Sequence, residues 1–275
     1  MMFLKGIGAL LLTLAGFSVF SLKFPKGSKA MGGLADAAVA TFLVEAIFKY
    51  ICGDFIGIAF LGEVGAAAGS MGGVASAALV GLAMGTNPVY AIASAAAVAG
   101  FGILPGFIAA YVLYFLLKRV HKLMPAGLDV IVCSLLAAGL GRGIAVFVDP
   151  AVNSIISVIG DSITIATTQS PLLMGFVLGG LMKMICTSPL SSMALTAMLG
   201  LTGLPMGIAA AMLGIINNAP GTASPIPGLL APFAFNSPVK VLLAMGIAAA
   251  AGTICGLIGS TIFAKLGFKK DVRTC

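Results

Sequence analysis

Apolar runs separated by short polar or basic stretches set the pattern of this chain. A transmembrane helix needs about 20 consecutive apolar residues, and seven runs approach or exceed that length: residues 3–22, 30–48, 64–84, 89–117, 128–148, 193–215 and 239–268. The run 89–117 is too long for one upright crossing and contains Pro105, so it is either one kinked, tilted helix or two short helices. Counted as two, it brings the prediction to about eight crossings, within a range of roughly six to ten.

Three shorter apolar segments do not fit a simple crossing. Residues 50–61 and 171–185 are too short to span, and the first of them is typical of an interfacial or re-entrant piece. Residues 151–167 place polar side chains such as Asn153 and Asp161 among apolar ones. That pattern predicts an amphipathic helix that lies on the membrane surface.

The composition is typical of an integral membrane protein. Hydrophobic residues make up 60% of it and charged residues only 8%, whereas soluble domains carry about 25% charged residues. The 37 glycines favour closely packed helices, because small residues let two backbones approach in a bilayer. We therefore predict an all-α integral membrane protein with several crossings.

The basic residues gather in three clusters, at residues 23–29, 118–122 and 265–273. Cytoplasmic loops of membrane proteins are enriched in Lys and Arg, so we expect all three clusters on the cytoplasmic side. The net charge of +7 thus indicates contact with the lipid bilayer and no binding of nucleic acid. The first apolar run resembles a signal peptide, but no small-x-small cleavage site follows it, and we interpret it as an uncleaved first helix.

Two carboxylates, Asp36 and Glu45, lie inside the second apolar run. Acidic residues within a span usually face a cavity, where they can couple transport to an ion. Glu45 is also four residues before Lys49, so the two can instead pair with each other near the interface. Asp54 and Glu63 allow the same two interpretations, and for all four acids we favour interfacial pairing.

No catalytic motif occurs in the chain: the Walker, HExxH and GxSxG patterns are all missing from the sequence. The five cysteines form no CxxC pair and have no companion histidines, so we predict neither a disulfide framework nor a metal site. We expect no cofactor. These observations exclude a soluble enzyme. The candidate functional residues are therefore the polar residues that lie within apolar runs.

Arg142, between Gly141 and Gly143, is the sharpest of these candidates. An arginine near the middle of a span costs at least about 2.5 kcal/mol, so it usually faces a cavity or an acid. Its glycine neighbours would let a solute or a second backbone come close. It can equally pair with Asp149 or Asp161, or extend to the interface.

Two further polar stretches follow. Pro189 stands in what reads as the first turn of a helix, surrounded by the hydroxyls of Thr187, Ser188, Ser191 and Ser192. Helix N-termini in membranes bind anions or polar groups, although simple N-capping explains this run equally well.

The stretch 216–238 holds five prolines, three asparagines and two glycines. It is either a long external loop or a broken intramembrane segment, whose irregular backbone only protein or a water-filled cavity can cover. Its polar side chains suit sugar hydroxyls because they both donate and accept hydrogen bonds. They are Asn217, Asn218, Thr222 and Ser224.

Four features follow one another from Gly139 onward: a Gly-Arg-Gly helix, the amphipathic segment, the sequence SPLLMG (170–175) and the helix start SPLSS (188–192). This order resembles enzyme IIC, the membrane component of bacterial phosphotransferase sugar permeases, and within that family the branch typified by the PfoR regulatory protein. The likeness covers about half of the chain, and the first 130 residues or so are generic.

The resemblance implies a homodimeric carrier in the bacterial plasma membrane. Residues 1–127 would form the scaffold and dimer helices, and residues 128–275 would bind the substrate through two re-entrant hairpins, near 171–188 and 217–238. The substrate would be a sugar or another small polar solute, moved by alternating access. A separate IIB protein would supply any phosphate, since no phosphorylatable domain is fused to the chain.

The chain departs from the family at one informative position. Sugar-transporting relatives carry an Asn-x-Glu-Pro-like motif in the second hairpin, and its acid binds the substrate. Here the corresponding residues are Asn217, Asn218, Ala219 and Pro220, so the proline is kept and the acid is absent. Two hypotheses therefore stand: a carrier of enzyme IIC type, or a non-transporting membrane regulator or sensor that keeps the fold.

Overall fold

A computed structural model describes residues 2–125 and 128–169 of the chain. Within these residues the regular structure is entirely helical. Seven α-helices follow in order, with two π-helical segments, Val39–Leu43 and Ala46–Phe55, between the second and third. The α-helices are α1 (Met2–Lys23), α2 (Gly27–Ala38), α3 (Ala59–Ser70), α4 (Gly72–Met84), α5 (Pro88–Ala97), α6 (Ile103–His121) and α7 (Leu128–Gln169).

Three helical stretches are long and apolar enough to cross a membrane: Gly27–Lys49, Ile103–His121 and Leu128–Val158. A bent pair of helices, α3 and α4, makes a fourth if it is counted as one span. The described part of the chain is thus a multi-pass, all-helical membrane structure. The predicted total of about eight crossings depends on residues outside this part.

Small residues bring α2, α4 and α6 together into the core. Leu34 on α2, Val80 on α4 and Ala110 on α6 are all buried in one apolar cluster. The approach of α2 to α4 is so close that a Cβ on Gly33 would lie 2.6 Å from the carbonyl oxygen of Leu79. Only a glycine fits there, as expected where lipid supplies no hydrophobic force and contact of backbones stabilises the bundle.

The run 64–84, predicted as one span, is bent. It contains the end of α3 and all of α4, which meet at Met71 and diverge by 57°. Ser70, Gly72 and Gly73 flank the break, and helices kink at such Gly/Ser pairs. The turn before α6 lies against the start of α4 just after it. A Cβ on Gly73 would collide with the carbonyl oxygen of Phe101, and a Cβ on Gly106 with that of Gly73.

The long run 89–117 is two helices, which was one of the two predicted alternatives. α5 ends at Ala97, five residues form a turn, and α6 begins at Ile103. The turn needs Gly100, whose φ of 88° lies in the left-handed region that glycine adopts without cost. Pro105, which we expected to kink this run, stands instead in the first turn of α6, where a proline is tolerated.

The structure divides two short segments differently from the sequence pattern. Residues 50–61 hold the end of the second π-helical segment, a turn and the start of α3, and their interfacial or re-entrant placement stays a prediction. Residues 151–167 are helical as predicted but do not form a helix of their own. They continue α7, which runs for 42 residues through Pro150.

Two of the three basic clusters lie at the same end of the bundle. Lys26, in the turn between α1 and α2, places its Nζ 4.0 Å from the centre of the Tyr114 ring on α6. The Tyr111 hydroxyl donates to the carbonyl oxygen of Pro25 at 2.9 Å. The clusters at 23–29 and 118–122 therefore share one side, as predicted, and the third cluster lies outside the described residues.

Candidate functional site

α5 is a half-helix that enters the bundle from this basic end. Asn87 caps its N-terminus, where the side chain accepts a hydrogen bond from the Val89 amide at 2.9 Å. Tyr90 on the first turn of α5 lies beside His121 at the end of α6, with 3.5 Å between the hydroxyl and Nδ1. Ten residues of helix rise about 15 Å, which is half the thickness of a bilayer core. α5 therefore ends at membrane depth.

The end of α5 presents backbone carbonyl groups that need partners. The last four carbonyls of any helix lack intrahelical donors, and the helix dipole places about half a negative charge there. Amides of the following turn satisfy some of these carbonyls, since the Val98 amide donates to the carbonyl oxygens of Ser94 and Ala95. The carbonyls of Ala97 and Ala99 remain directed toward α7.

Arg142 on α7 supplies the missing donor. Its Nη1 donates to the carbonyl oxygen of Ala97 at 2.8 Å and lies 3.4 Å from that of Ala99. The guanidinium carbon also lies 5.1 Å from the centre of the Phe101 ring, within the range of a cation–π contact. A positive group thus sits at the negative end of α5, which offsets the cost of placing it in a membrane.

The structure tests one of the two pairings that the sequence suggested for Arg142, since it does not describe the side chain of Asp161. Within the described residues its hydrogen bonds go to backbone carbonyls, and no ion pair joins it to Asp149. Sequence reasoning missed these partners because they belong to a helix end more than 40 residues earlier. The run Ala99-Gly100-Phe101-Gly102 was the available signal, since glycines after an apolar run mark a helix end.

The glycines beside Arg142 have different surroundings. A Cβ on Gly141 would lie 2.9 Å from the Ser94 hydroxyl, so this glycine lets α7 pack closely on α5. Gly143 has open space around it. The Ser94 hydroxyl is buried and makes no hydrogen bond within the described residues. Ser94 is a polar group that sequence reasoning did not single out, hidden behind Gly141 and one turn before Ala97.

The remaining predicted site residues lie outside the described residues, so their approach to Arg142 stays a prediction. They are Thr187, Ser188, Ser191, Ser192, Asn217, Asn218, Thr222 and Ser224.

The predicted pairing of Glu45 with Lys49 is present. Lys49 Nζ lies 3.0 Å from Glu45 Oε1, and both side chains are partly exposed. α3 packs against them through glycine, since a Cβ on Gly69 would collide with the Glu45 carboxylate. Among the residues that the structure describes, no group of three or more His, Cys, Asp or Glu side chains could hold a metal ion.

A cavity of about 330 Å³ opens beside α4 and α5. Its lining is almost wholly apolar and includes Met71, Val74 and Ile92. Its hydroxyl, from Thr41, donates to the carbonyl oxygen of Ala37 at 2.8 Å. Such a cavity offers a polar solute few hydrogen bonds, which leaves the surroundings of Arg142 as the candidate site in the described residues.

Comparison with known proteins confirms the resemblance to enzyme IIC at the level of the family, and the PfoR-like branch stays a prediction. The family model "Phosphotransferase system, EIIC" matches residues 28–213. No curated protein and no solved structure is significantly similar to the chain. The match covers more than half of the chain and includes α2 to α7 with Arg142. The chain is therefore a member of the phosphotransferase system EIIC family of membrane components.

Proposed function

We propose that this protein carries a sugar or a similar small polar solute across the bacterial plasma membrane by alternating access. The observation that carries the proposal is the Arg142 guanidinium, held at the end of a half-helix at membrane depth in a chain of the EIIC family. Carriers build substrate sites from interrupted helices, whose ends present charges and backbone groups to the solute.

Arg142 suits the recognition of hydroxyl or phosphoryl oxygens. A guanidinium has five N–H donors in a fixed plane, and the two contacts to Ala97 and Ala99 use only Nη1. The helix end fixes the orientation of the group, so a solute that binds the other donors loses less side-chain entropy. Ser94 adds a buried hydroxyl one turn away, which becomes accessible if α7 separates from α5.

The rest of the proposed site comes from the second half of the chain. In this proposal the hydroxyls of Thr187, Ser188, Ser191 and Ser192 and the polar groups of Asn217, Asn218, Thr222 and Ser224 approach Arg142 from two re-entrant hairpins. Residues 1–127 form the scaffold of a homodimer and residues 128–275 the transport half. A separate IIB protein phosphorylates the solute, because this chain has no phosphorylatable motif.

Uptake into proteoliposomes tests the proposal. Labelled sugars are offered to the purified protein with and without a phosphorylated IIB protein in the lumen, for wild type, Arg142→Gln and Arg142→Lys. We expect uptake by the wild type, an at least tenfold loss in Arg142→Gln and partial activity in Arg142→Lys. Asp149→Asn is the matched control, since it removes a charge two turns further along the same helix and should keep uptake.

Two results would count against the proposal. Absence of uptake of every sugar by folded wild-type protein, in both conditions, would point to a regulator or sensor. Equal uptake by wild type and Arg142→Gln would keep the carrier but remove Arg142 from its site.

A further inference from the structure

The contacts of Arg142 with the end of α5 use one nitrogen of its guanidinium and leave another edge of the group open. Both hydrogen bonds come from Nη1, which donates to the carbonyl oxygens of Ala97 and Ala99. Within the described residues, Nε and Nη2 make no hydrogen bond and no ion pair. The N–H groups of Nε and Nη2 point in the same direction, at the spacing of the two oxygens of a carboxylate. The anchored side chain therefore presents a fork that suits a bidentate anion.

Two glycines leave space beside this fork. Gly139 lies one turn before Arg142 on the same face of α7, and Gly143 is the next residue after it. A Cβ at either glycine would meet nothing within 4 Å, and the side chain of Arg142 is exposed. Among the helices that the structure describes, none has to move for a small solute to reach the guanidinium.

The positive charge of Arg142 is balanced only in part. The end of α5 offers at most about half a negative charge, and amides of the following turn already neutralise some of it. No acid of the described residues pairs with Arg142, since the ion pairs there join Glu45 to Lys49 and Asp129 to His121. More than half a unit of positive charge thus remains at membrane depth, where an unbalanced charge is costly. A partner with a single negative charge offsets it best.

The second half of the sequence contains almost no acid that could be this partner. No Asp or Glu occurs from residue 162 to residue 270, although this stretch contains Lys183 and Lys240. Asp161, just before it, belongs to α7 itself and follows Arg142 by 19 residues, which is about 28 Å along the helix axis. Any segment of residues 162–270 that packs against Arg142 brings neutral polar groups or further positive charge.

We propose that the solute of this carrier is a small hydroxylated carboxylate, such as a sugar acid, whose carboxylate binds the Nε and Nη2 edge of Arg142. This inference rests on the proposed function and narrows its substrate class. A carboxylate supplies one negative charge and two oxygens in the plane of the fork. A neutral sugar leaves the positive charge unbalanced, and a phosphate dianion exceeds it. Neutral polar side chains of the second half bind the hydroxyl groups, as suits groups that both donate and accept.

Equilibrium binding to the purified full-length protein tests the charge of the solute independently of transport. Isothermal titration in detergent compares D-glucuronate, D-galacturonate and D-gluconate with their neutral amides, which keep the hydroxyl groups and lose the charge. The proteins are wild type, Arg142→Gln, Arg142→Lys and Arg119→Gln. Arg119→Gln is the matched control, because it removes the same charge from the exposed basic end of α6. The comparison of acid with amide on wild type needs no variant, so it holds even if one variant is unstable.

We expect wild type to bind at least one of the acids about tenfold or more tightly than its amide, because charge-assisted bidentate hydrogen bonds are the strong ones. Arg142→Gln should bind acid and amide within about twofold of each other. Arg142→Lys should keep part of the preference, since it retains the charge and loses the fork. Arg119→Gln should behave as wild type.

Three results would overturn the proposal: no binding of any of the three acids to wild type, equal affinity of wild type for acid and amide, or equal weakening by Arg119→Gln and Arg142→Gln. The last would show only diffuse attraction to a basic protein. Uptake into proteoliposomes then separates this inference from the proposed function. Uptake of neutral sugars without preference for an acid keeps the carrier and removes the anionic solute. Tight binding of an acid without uptake keeps the anion site and points to a sensor.

Discussion

Arg142 Nη1 and the carbonyl oxygen of Ala97 are 2.8 Å apart, and this hydrogen bond ties α7 to the end of α5. Hydrogen bonds to a charged group contribute about 1.5–3 kcal/mol to stability. The side chain of Arg142 is exposed, so the contribution of this hydrogen bond should lie near the lower limit. We therefore expect Arg142→Gln to lower the free energy of unfolding by about 1.5 kcal/mol. Arg142→Lys should lose less, because an ammonium can still reach one carbonyl. Denaturant titration in detergent measures both changes.

Asp149→Asn serves as the control for this measurement. It removes a charge from the same helix without touching the end of α5, so the free energy of unfolding should stay within about 0.5 kcal/mol of wild type. If Arg142→Gln is as stable as Asp149→Asn, the contact with α5 does not stabilise the fold. Arg142 would then be available entirely to a solute.

Neighbouring glycines on α2 offer a second prediction. A Cβ on Gly33 would lie 2.7 Å from the Val80 Cα and still closer to the Leu79 carbonyl oxygen, whereas a Cβ on Gly32 meets nothing within 4 Å. Gly33→Ala should thus force α2 away from α4 and cost about 1–3 kcal/mol. Gly32→Ala should stabilise the protein by about 0.5–1 kcal/mol, because alanine loses less backbone entropy in a helix.

Thermal unfolding of the two variants in the same detergent checks this prediction. Its test is that Gly33→Ala lowers the unfolding midpoint and Gly32→Ala raises it. Equal effects would mean that α2 and α4 do not approach as closely as Gly33 indicates. The known preference for alanine over glycine in helices would then be sufficient to explain both variants.

The sequence predicted elements whose boundaries are local and missed those that depend on a distant contact. α1 was expected at residues 3–22 and occurs at Met2–Lys23, because its apolar run ends at lysines. The break at Met71 has no proline, and its local signal is only Ser70, Gly72 and Gly73. The carbonyl of Phe101 approaches Gly73 beside it. Apolar periodicity contains no information about that approach.

The candidate site divides in the same way. Arg142 could be singled out because a charge inside an apolar run is costly wherever its partner lies. Its partner carries a weaker signal, because Gly100 and Gly102 mark the end of α5. No residue near Ala97 indicates that its carbonyl oxygen faces α7, since that depends on how the two helices pack.

The pair of Glu45 and Lys49 yields a third prediction. The two side chains are 22% and 37% exposed, and their charged atoms lie 3.0 Å apart. Partial exposure screens the attraction, so we expect a coupling free energy of about 0.5–1 kcal/mol between them. A double-mutant cycle with Glu45→Gln, Lys49→Gln and the double variant isolates this coupling from other contacts of either residue. A coupling near zero would show that the pair is only a chance proximity at the interface.

The backbone of Lys26 provides the fourth prediction. Its φ of 58° and ψ of 17° place it in the left-handed region, where a residue with a Cβ pays about 1–2 kcal/mol and glycine pays almost nothing. Lys26→Gly and Lys26→Ala both remove the ammonium that binds the Met84 carbonyl oxygen and lies over the Tyr114 ring. We therefore expect both variants to be less stable than wild type, with the glycine variant more stable than the alanine variant by about 1 kcal/mol.

Lys29, three residues later inside α2, is the matched control. There the backbone is helical, so alanine should be more stable than glycine by about 1 kcal/mol. Unfolding midpoints of the four variants in one detergent give both differences. The same order at both positions would show that the turn before α2 is not left-handed at Lys26. Opposite orders would establish that the backbone at Lys26 is left-handed and strained for any residue with a Cβ.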